Sequence, residues 1–428
     1  TIFISGLDER VTLSNPVAGY SSFKTRARVT SDLGDSEQTP SDLATVVDYT
    51  HLTAMRAPRP TLLTNNDRDR CCFAAGHALP PLLAAARPKY ALFGAQGNLW
   101  AHINHVPGSH NFEQDNREAL YRAFAEFFYP CVREFNTAEI MCANEVRSVA
   151  ELEVPLPEGN AGFHTLAVRL LEQLHSSSAL AGEEDIAKAR RRLAEVVRLR
   201  EWEVRRDLYE EPAHVGEVVA QWAAYHLGDE WTVPATELTP AEFDRTVLLV
   251  CDGGRAAAAT QIDQLLRSRS RVIAIDPFYF GESRISQRDF LYGLLVAAVG
   301  ERPLGIQAGQ LRAIARHWNA VDEKPVEVHA IGRRLGLASL IAAATEPQAI
   351  ASVDITGGFE SLRQVIEENL PVNEAPELFC FGLLAEFDIP RIESLLGERE
   401  VRKHAIPSEP TARECRRQTL DARERSVV

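Results

Sequence analysis

Apolar residues in this chain fall into short runs, with stretches of helical spacing between them. The first run covers Arg10 to Ala18, and a second, Arg59 to Asp69, begins as a buried strand and ends in an acidic loop. A third is Lys89 to Phe93, and residues 115 to 128 then place apolar side chains at helical intervals behind an acidic first turn. Strands alternating with helices predict a parallel sheet covered by helices. From about Pro130 to Arg206 the texture changes to the proline-rich Val154-Pro155-Leu156-Pro157 and charged helices, which predicts a connector. Its arginine cluster at Arg190 is interspersed with Glu183, Glu184, Asp185, Glu195 and Glu201, so it reads as a solvated helix face rather than an anion site.

The strand pattern then restarts. An antiparallel lead-in over residues 217 to 238 precedes strand-like runs at 247–251, 272–276, 326–331, 351–355 and 378–384, with helical segments between them. The predicted fold class is α/β, with two doubly wound, mostly parallel sheets in tandem, the first incomplete at its N-terminus. The predicted domains are 1–130, a connector 131–206, a second sheet domain 207–410 and a polar tail 411–428. In open sheets of this kind the loops at strand C-termini hold the site, and here those loops are rich in Gly, Asp and Pro.

Composition narrows the class. A chain of 428 residues predicts about two domains, and 45% hydrophobic with 25% charged residues is typical of a globular protein. No apolar run reaches the roughly 18 residues of a membrane span, so a soluble protein without membrane insertion is expected. The net charge of -14 repels polyanions, which argues against nucleic acid as a partner. The seven cysteines show no C-x-x-C and no regular spacing, so neither a metal site nor a disulfide framework is predicted, and no cofactor is expected. Cys251 and Cys380 lie in apolar runs and read as packing residues. Because the sequence begins at Thr1, a preceding segment is expected, and the compartment stays open, secreted or periplasmic if such a segment was removed.

The strongest chemical signal is Pro107-Gly108-Ser109-His110-Asn111-Phe112, a histidine after a Pro-Gly turn with a helix following. That is where a serine hydrolase keeps its base, and Asp69, on the loop after the preceding strand, is the candidate acid, preferred over Asp67. The two are expected within hydrogen-bond reach at the C-terminal edge of the first sheet. No G-x-S-x-G precedes them, and Ser5, Ser14, Ser21 and Ser22 lack flanking elbow glycines. His102 and His105, three residues apart, could mimic a metal pair but lack a third ligand nearby. In the second half, Gly332-Arg333-Arg334-Leu335-Gly336 has the two elbow glycines with Arg334 at the nucleophile position, where no attack on a carbonyl is possible. Asp252-Gly253-Gly254 could offer an oxyanion loop, Asp388 stands where an acid would fall, and His404 reads as a surface or core histidine. An Arg334–Asp388 ion pair and an Arg334 exposed on the turn are both open readings of this degenerate second site.

The run Asp48-Tyr49-Thr50-His51-Leu52-Thr53-Ala54-Met55-Arg56-Ala57-Pro58-Arg59-Pro60, together with the P-G-S-H-N-F turn, resembles the acetylxylan-esterase and dienelactone-hydrolase-like branch of the α/β-hydrolases. The resemblance implies that Thr1 to Leu7 is the helix following a nucleophile elbow. It further implies that the second half is a degenerate copy of the same fold, and that the substrate is a small-molecule or carbohydrate ester. Two functions follow as expectations. One is a serine-type carboxylic ester hydrolase, or a fragment of one, using the Asp69–His110 pair with its nucleophile upstream of Thr1. The other is a catalytically inactive binding or scaffold protein built on hydrolase-like domains.

Overall fold

The computed structural model describes residues 1–174, 182–284 and 289–405, so the predicted polar tail 411–428 and Cys415 lie outside the described residues. The chain divides into two compact units that interleave along the sequence. Unit 1 comprises Thr1–Leu174, Ile285–Pro303 and Ile366–Cys380, and unit 2 takes the remainder. The stretch expected as a connector is thus shared between them. No helix among the described residues is long and apolar enough to cross a membrane.

Unit 1 is built around β1 (Thr61–Asn66), which is buried along its whole length. It pairs in parallel with β2 (Leu99–Asn104), with Thr61 opposite Leu99 and Asn66 opposite Asn104. On its other edge Ser14 and Val17 form parallel bridges to Thr61 and Thr64, so three parallel segments lie side by side. Successive side chains of a strand point to opposite faces. Accordingly Leu62 packs with Ala119 and Ala123 of the helix Gln114–Phe128, while Leu63 packs with Tyr20, Tyr49, Leu79 and Leu82. Burying each leucine stabilises the unit by roughly 1.5–3 kcal/mol. The second cluster also takes Leu291, Leu295 and Ala298 from the helix Asp289–Ala298, which lies more than 200 residues away in sequence yet belongs to this unit.

Arg56 ties the start of β1 together. It is fully buried, donating to the carbonyls of Ser5 (2.8 Å), Val11 (2.9 Å) and Pro60 (2.9 Å) and to Thr61 Oγ1 (3.1 Å). The arginine of the M-R-A-P-R-P run is therefore structural.

Unit 2 holds an eight-stranded sheet. Its strands are β3 (Val204–Val215), β4 (Val218–Leu227), β5 (Trp231–Pro240), β6 (Arg245–Cys251), β7 (Ser270–Ile275), β8 (Val326–Ile331), β9 (Ile350–Thr356) and β10 (Val401–His404). The order is β10-β9-β8-β6-β7-β5-β4-β3. β3, β4 and β5 meander antiparallel and β5 meets β7 antiparallel, whereas the pairs joining β7, β6, β8, β9 and β10 are all parallel. The chain leaves β6 toward β7 on one side and returns to β8 on the other, which makes the crevice between β6 and β8 the switch point of a doubly wound sheet. Both units are thus α/β with mostly parallel strands, and in the larger β8 runs through a glycine turn at Gly332 into the helix Arg333–Thr345.

Two predicted strands do not form as strands. Residues 89–93 lie at the end of the long helix Ala75–Leu92, whose internal Pro80, Pro81 and Pro88 disguise it as broken segments in the sequence. Residues 378–384 span a short 3-10 turn at Pro376–Leu378 and the start of the helix Leu383–Glu386, separated by Gly382 at φ +85. Short apolar runs do not distinguish a strand from a buried helical turn.

Candidate active site

The loops that leave β1 and β2 bring Asp69 and His110 together. Nδ1 of His110 lies 2.8 Å from Asp69 Oδ2. The Asp69 side chain is fully enclosed, whereas that of His110 is half exposed. Asp69 Oδ1 accepts the backbone N–H groups of Cys71 and Cys72, both at 3.0 Å. Because a carboxylate can only accept, Nδ1 carries the ring proton in this arrangement and Nε2 is the basic nitrogen of the neutral imidazole.

A set of asparagines that sequence reasoning missed holds both loops. Asn66, the last residue of β1, donates to Asp69 Oδ2 at 3.2 Å, and its own oxygen accepts from Asn111 (3.3 Å) and Asn116 (3.0 Å). Asn104, the last residue of β2, accepts the Gly108 N–H at 2.9 Å and donates to the Val106 carbonyl at 2.9 Å, shaping the turn that delivers His110. Gly108 sits at φ +73, and a Cβ there would lie 2.9 Å from the His105 carbonyl, so the turn requires glycine. The only sequence trace of this network was Asn at both strand ends, which reads as ordinary loop polarity.

Burial alone would raise the Asp69 pKa, but hydrogen bonds from the Cys72 backbone, His110 and Asn66 outweigh it and hold the carboxyl below the usual aspartate range. With the folded value below the unfolded one near 3.9, the ionised carboxylate adds stability above about pH 5, and this contribution fades as pH falls through the folded value. The stability gap between the protein and Asp69→Asn should therefore narrow on acidification in urea titrations from pH 7 to pH 3. A gap that widens would contradict this.

The other candidates in unit 1 have separate partners. Asp67 lies 3.2 Å from His105, and Asp115 lies 2.9 Å from His102. The two histidines are thus each matched with a carboxylate of their own. Ser22 caps the helix Phe23–Arg28, accepting the Thr25 N–H at 3.0 Å.

In unit 2 the Gly332 turn lies at the switch point. Arg334, near the start of the helix Arg333–Thr345, places its guanidinium 4.5 Å from the ring centroid of Phe280 and 5.3 Å from that of Tyr279. The Asp252 carboxylate, from the loop after β6, accepts the N–H groups of Arg334 (3.1 Å) and Leu335 (2.8 Å). Gly332, at φ +109, permits that approach, since a Cβ would fall 2.2 Å from the carboxyl. In an active hydrolase the N–H after the nucleophile faces the oxyanion. Here a carboxylate occupies it. Asp388 caps the helix Ile389–Ser394 and accepts from Ser361 Oγ (2.7 Å), the Leu362 N–H (2.6 Å) and the Ile389 N–H (2.8 Å), so the possible Arg334–Asp388 pair does not form. Its side chain serves as a helix cap. His404 Nε2 lies 3.1 Å from Asp354 on the neighbouring strand and is half exposed.

No family model matches the chain, and no curated protein matches it. Among solved structures it is similar to a putative acetyl xylan esterase from Bacteroides fragilis (12% identity, 58% of this chain and 77% of that one, TM-score 0.47). It is also similar to acetyl xylan esterase 1 from a Thermoanaerobacterium species (15%, 59% and 96%, TM-score 0.34) and to a promiscuous CE15 esterase from a marine bacterial metagenome (14%, 57% and 81%, TM-score 0.36).

Proposed function

We propose that unit 1 carries the acid and base of a serine-type carboxylic ester hydrolase, with His110 as general base and Asp69 as the residue that orients it. The observation that supports this reading best is the buried, ionised Asp69, which is held by two backbone N–H groups and is itself 2.8 Å from Nδ1 of a half-exposed histidine. Acid and base stand on the loops after adjacent parallel strands, in the chain order of the hydrolase triad. By the same order, the elbow serine would precede the helix Ile2–Leu7, which leads to the first of the three parallel segments. His110 Nε2 would take the serine proton during attack on the acyl carbon and return it to the leaving alcohol. Acylated carbohydrate is the substrate class that the motif resemblance implies. The test is hydrolysis of p-nitrophenyl acetate and acetylated xylan by the protein carrying a G-x-S-x-G segment ahead of Thr1. Turnover should require both the elbow serine and His110. Turnover that survives His110→Ala would overturn the assignment.

For unit 2 the non-catalytic reading is favoured, because Arg334 stands at the nucleophile position and Asp252 fills the oxyanion donor. Arg334→Ser, made in a His110→Ala background, should show no ester hydrolysis above that background. A measurable gain would mean that unit 2 retains an aligned base.

A further inference from the structure

We propose that Cys71, Cys72 and His110 form a site for a single soft divalent cation at the mouth of the acid–base pair. The two sulfurs and one ring nitrogen all lie within 4.8 Å of one another. Consecutive residues of an extended chain point to opposite sides, but here Asp69 Oδ1 accepts both cysteine N–H groups and rolls the two thiols toward each other. Their sulfurs lie 3.5 Å apart. Two thiolates bound to zinc at about 2.3 Å in a tetrahedron stand about 3.8 Å apart, so the spacing needs little adjustment, whereas a disulfide would need closure to about 2.05 Å.

Asp69 completes the arrangement. Metal-binding histidines characteristically donate their other ring N–H to a carboxylate, which fixes the ring and strengthens the ligating nitrogen. Asp69 already holds Nδ1 in that way, so ligation through Nε2 would keep this hydrogen bond. Cys71 is exposed and offers a route from solvent, while Cys72 is buried beneath it. Each thiol gives its proton to solvent as its sulfur binds, and the fourth position of the ion is left to water. Binding would occupy the lone pair that His110 needs as a base, so the ion would inhibit hydrolysis. That consequence, unlike the site itself, rests on the function proposed above.

The experiment is a cadmium titration of the reduced protein, followed by the ultraviolet charge-transfer band of the cadmium–thiolate bond and repeated with zinc as competitor. A band saturating at one equivalent is expected. Cys71→Ser, an exposed and structurally mild change, should weaken binding by about 100-fold or more, since loss of a direct ligand exceeds the roughly 10–100-fold effect of outer-shell changes. Cys72→Ala should do the same, whereas Cys131→Ser and Cys142→Ser, at exposed thiols elsewhere in unit 1, should leave the titration unchanged. Absence of a saturable band, or a band that persists in the Cys71→Ser/Cys72→Ala double variant, would overturn the site. Stoichiometric binding that leaves ester hydrolysis by the elbow-bearing protein untouched would uphold the site and count instead against His110 as the base.

Discussion

Asp69→Asn is expected to lower kcat for ester hydrolysis by about 10⁴-fold with little change in KM, the scale of effect seen when a triad acid is made neutral. The surrounding donors dictate how the amide would sit. The N–H groups of Cys71 and Cys72 both point at the Oδ1 position, so the amide oxygen must go there and its NH2 must face His110. Nδ1 would then become an acceptor, and the ring proton would move to Nε2, the nitrogen needed as a base. Asn66 cannot relieve this by flipping, because its oxygen is already bound by Asn111 and Asn116. The comparison uses the elbow-bearing protein and steady-state kinetics on p-nitrophenyl acetate. A loss under about tenfold would show that Asp69 does not set the tautomer.

Arg56→Met should destabilise unit 1 by about 2 kcal/mol or more. The guanidinium donates to the carbonyls of Ser5, Val11 and Pro60 and to the Thr61 hydroxyl; Pro60 also accepts the Ser14 N–H and Thr61 also accepts from Tyr90, so the Ser5 and Val11 carbonyls are the ones that lose their donor, at about 1–3 kcal/mol each. Those acceptors belong to the helix Ile2–Leu7, the loop after it and the lead into β1, so the variant loosens the strand that delivers Asp69. Burial also holds the Arg56 pKa below the usual arginine range, yet an arginine remains charged at neutral pH, and methionine of similar length would leave the cage unsatisfied. Urea unfolding monitored by a unit 1 probe such as Trp100 checks this. A shift of less than about 1 kcal/mol would mean that water reaches these carbonyls.

Much of this architecture is legible in the sequence, for identifiable reasons. Parallel strands buried on both faces leave continuous apolar runs, which is why β6 and β7 stand out, whereas β8 reads from its alternation of apolar and polar residues. Asp69 and His110 could be singled out because a hydrolase places acid and base on loops directly after strands, and a Pro-Gly turn marks such a loop. What escaped reading depends on long-range packing. The helix Asp289–Ala298 completes the core of unit 1 although its sequence neighbours belong to unit 2. The role of Asp252 is equally invisible locally, since an Asp-Gly-Gly loop can present backbone donors or, as here, a carboxylate that consumes them. Asn66 lies on a different stretch of chain from Asn104, Asn111 and Asn116, and the four become one network only once β1 and β2 are paired.

The pairing of Asp69 with His110 is tested most directly by ¹⁵N NMR of histidine-labelled protein, which reads the protonation of each ring nitrogen without any need for turnover. The expected result is a neutral His110 with its proton on Nδ1, exchanging slowly with solvent, and transfer of that proton to Nε2 in Asp69→Asn. A His110 ring that in the unsubstituted protein carries its proton on Nε2, or averages between tautomers like an exposed histidine, would contradict it.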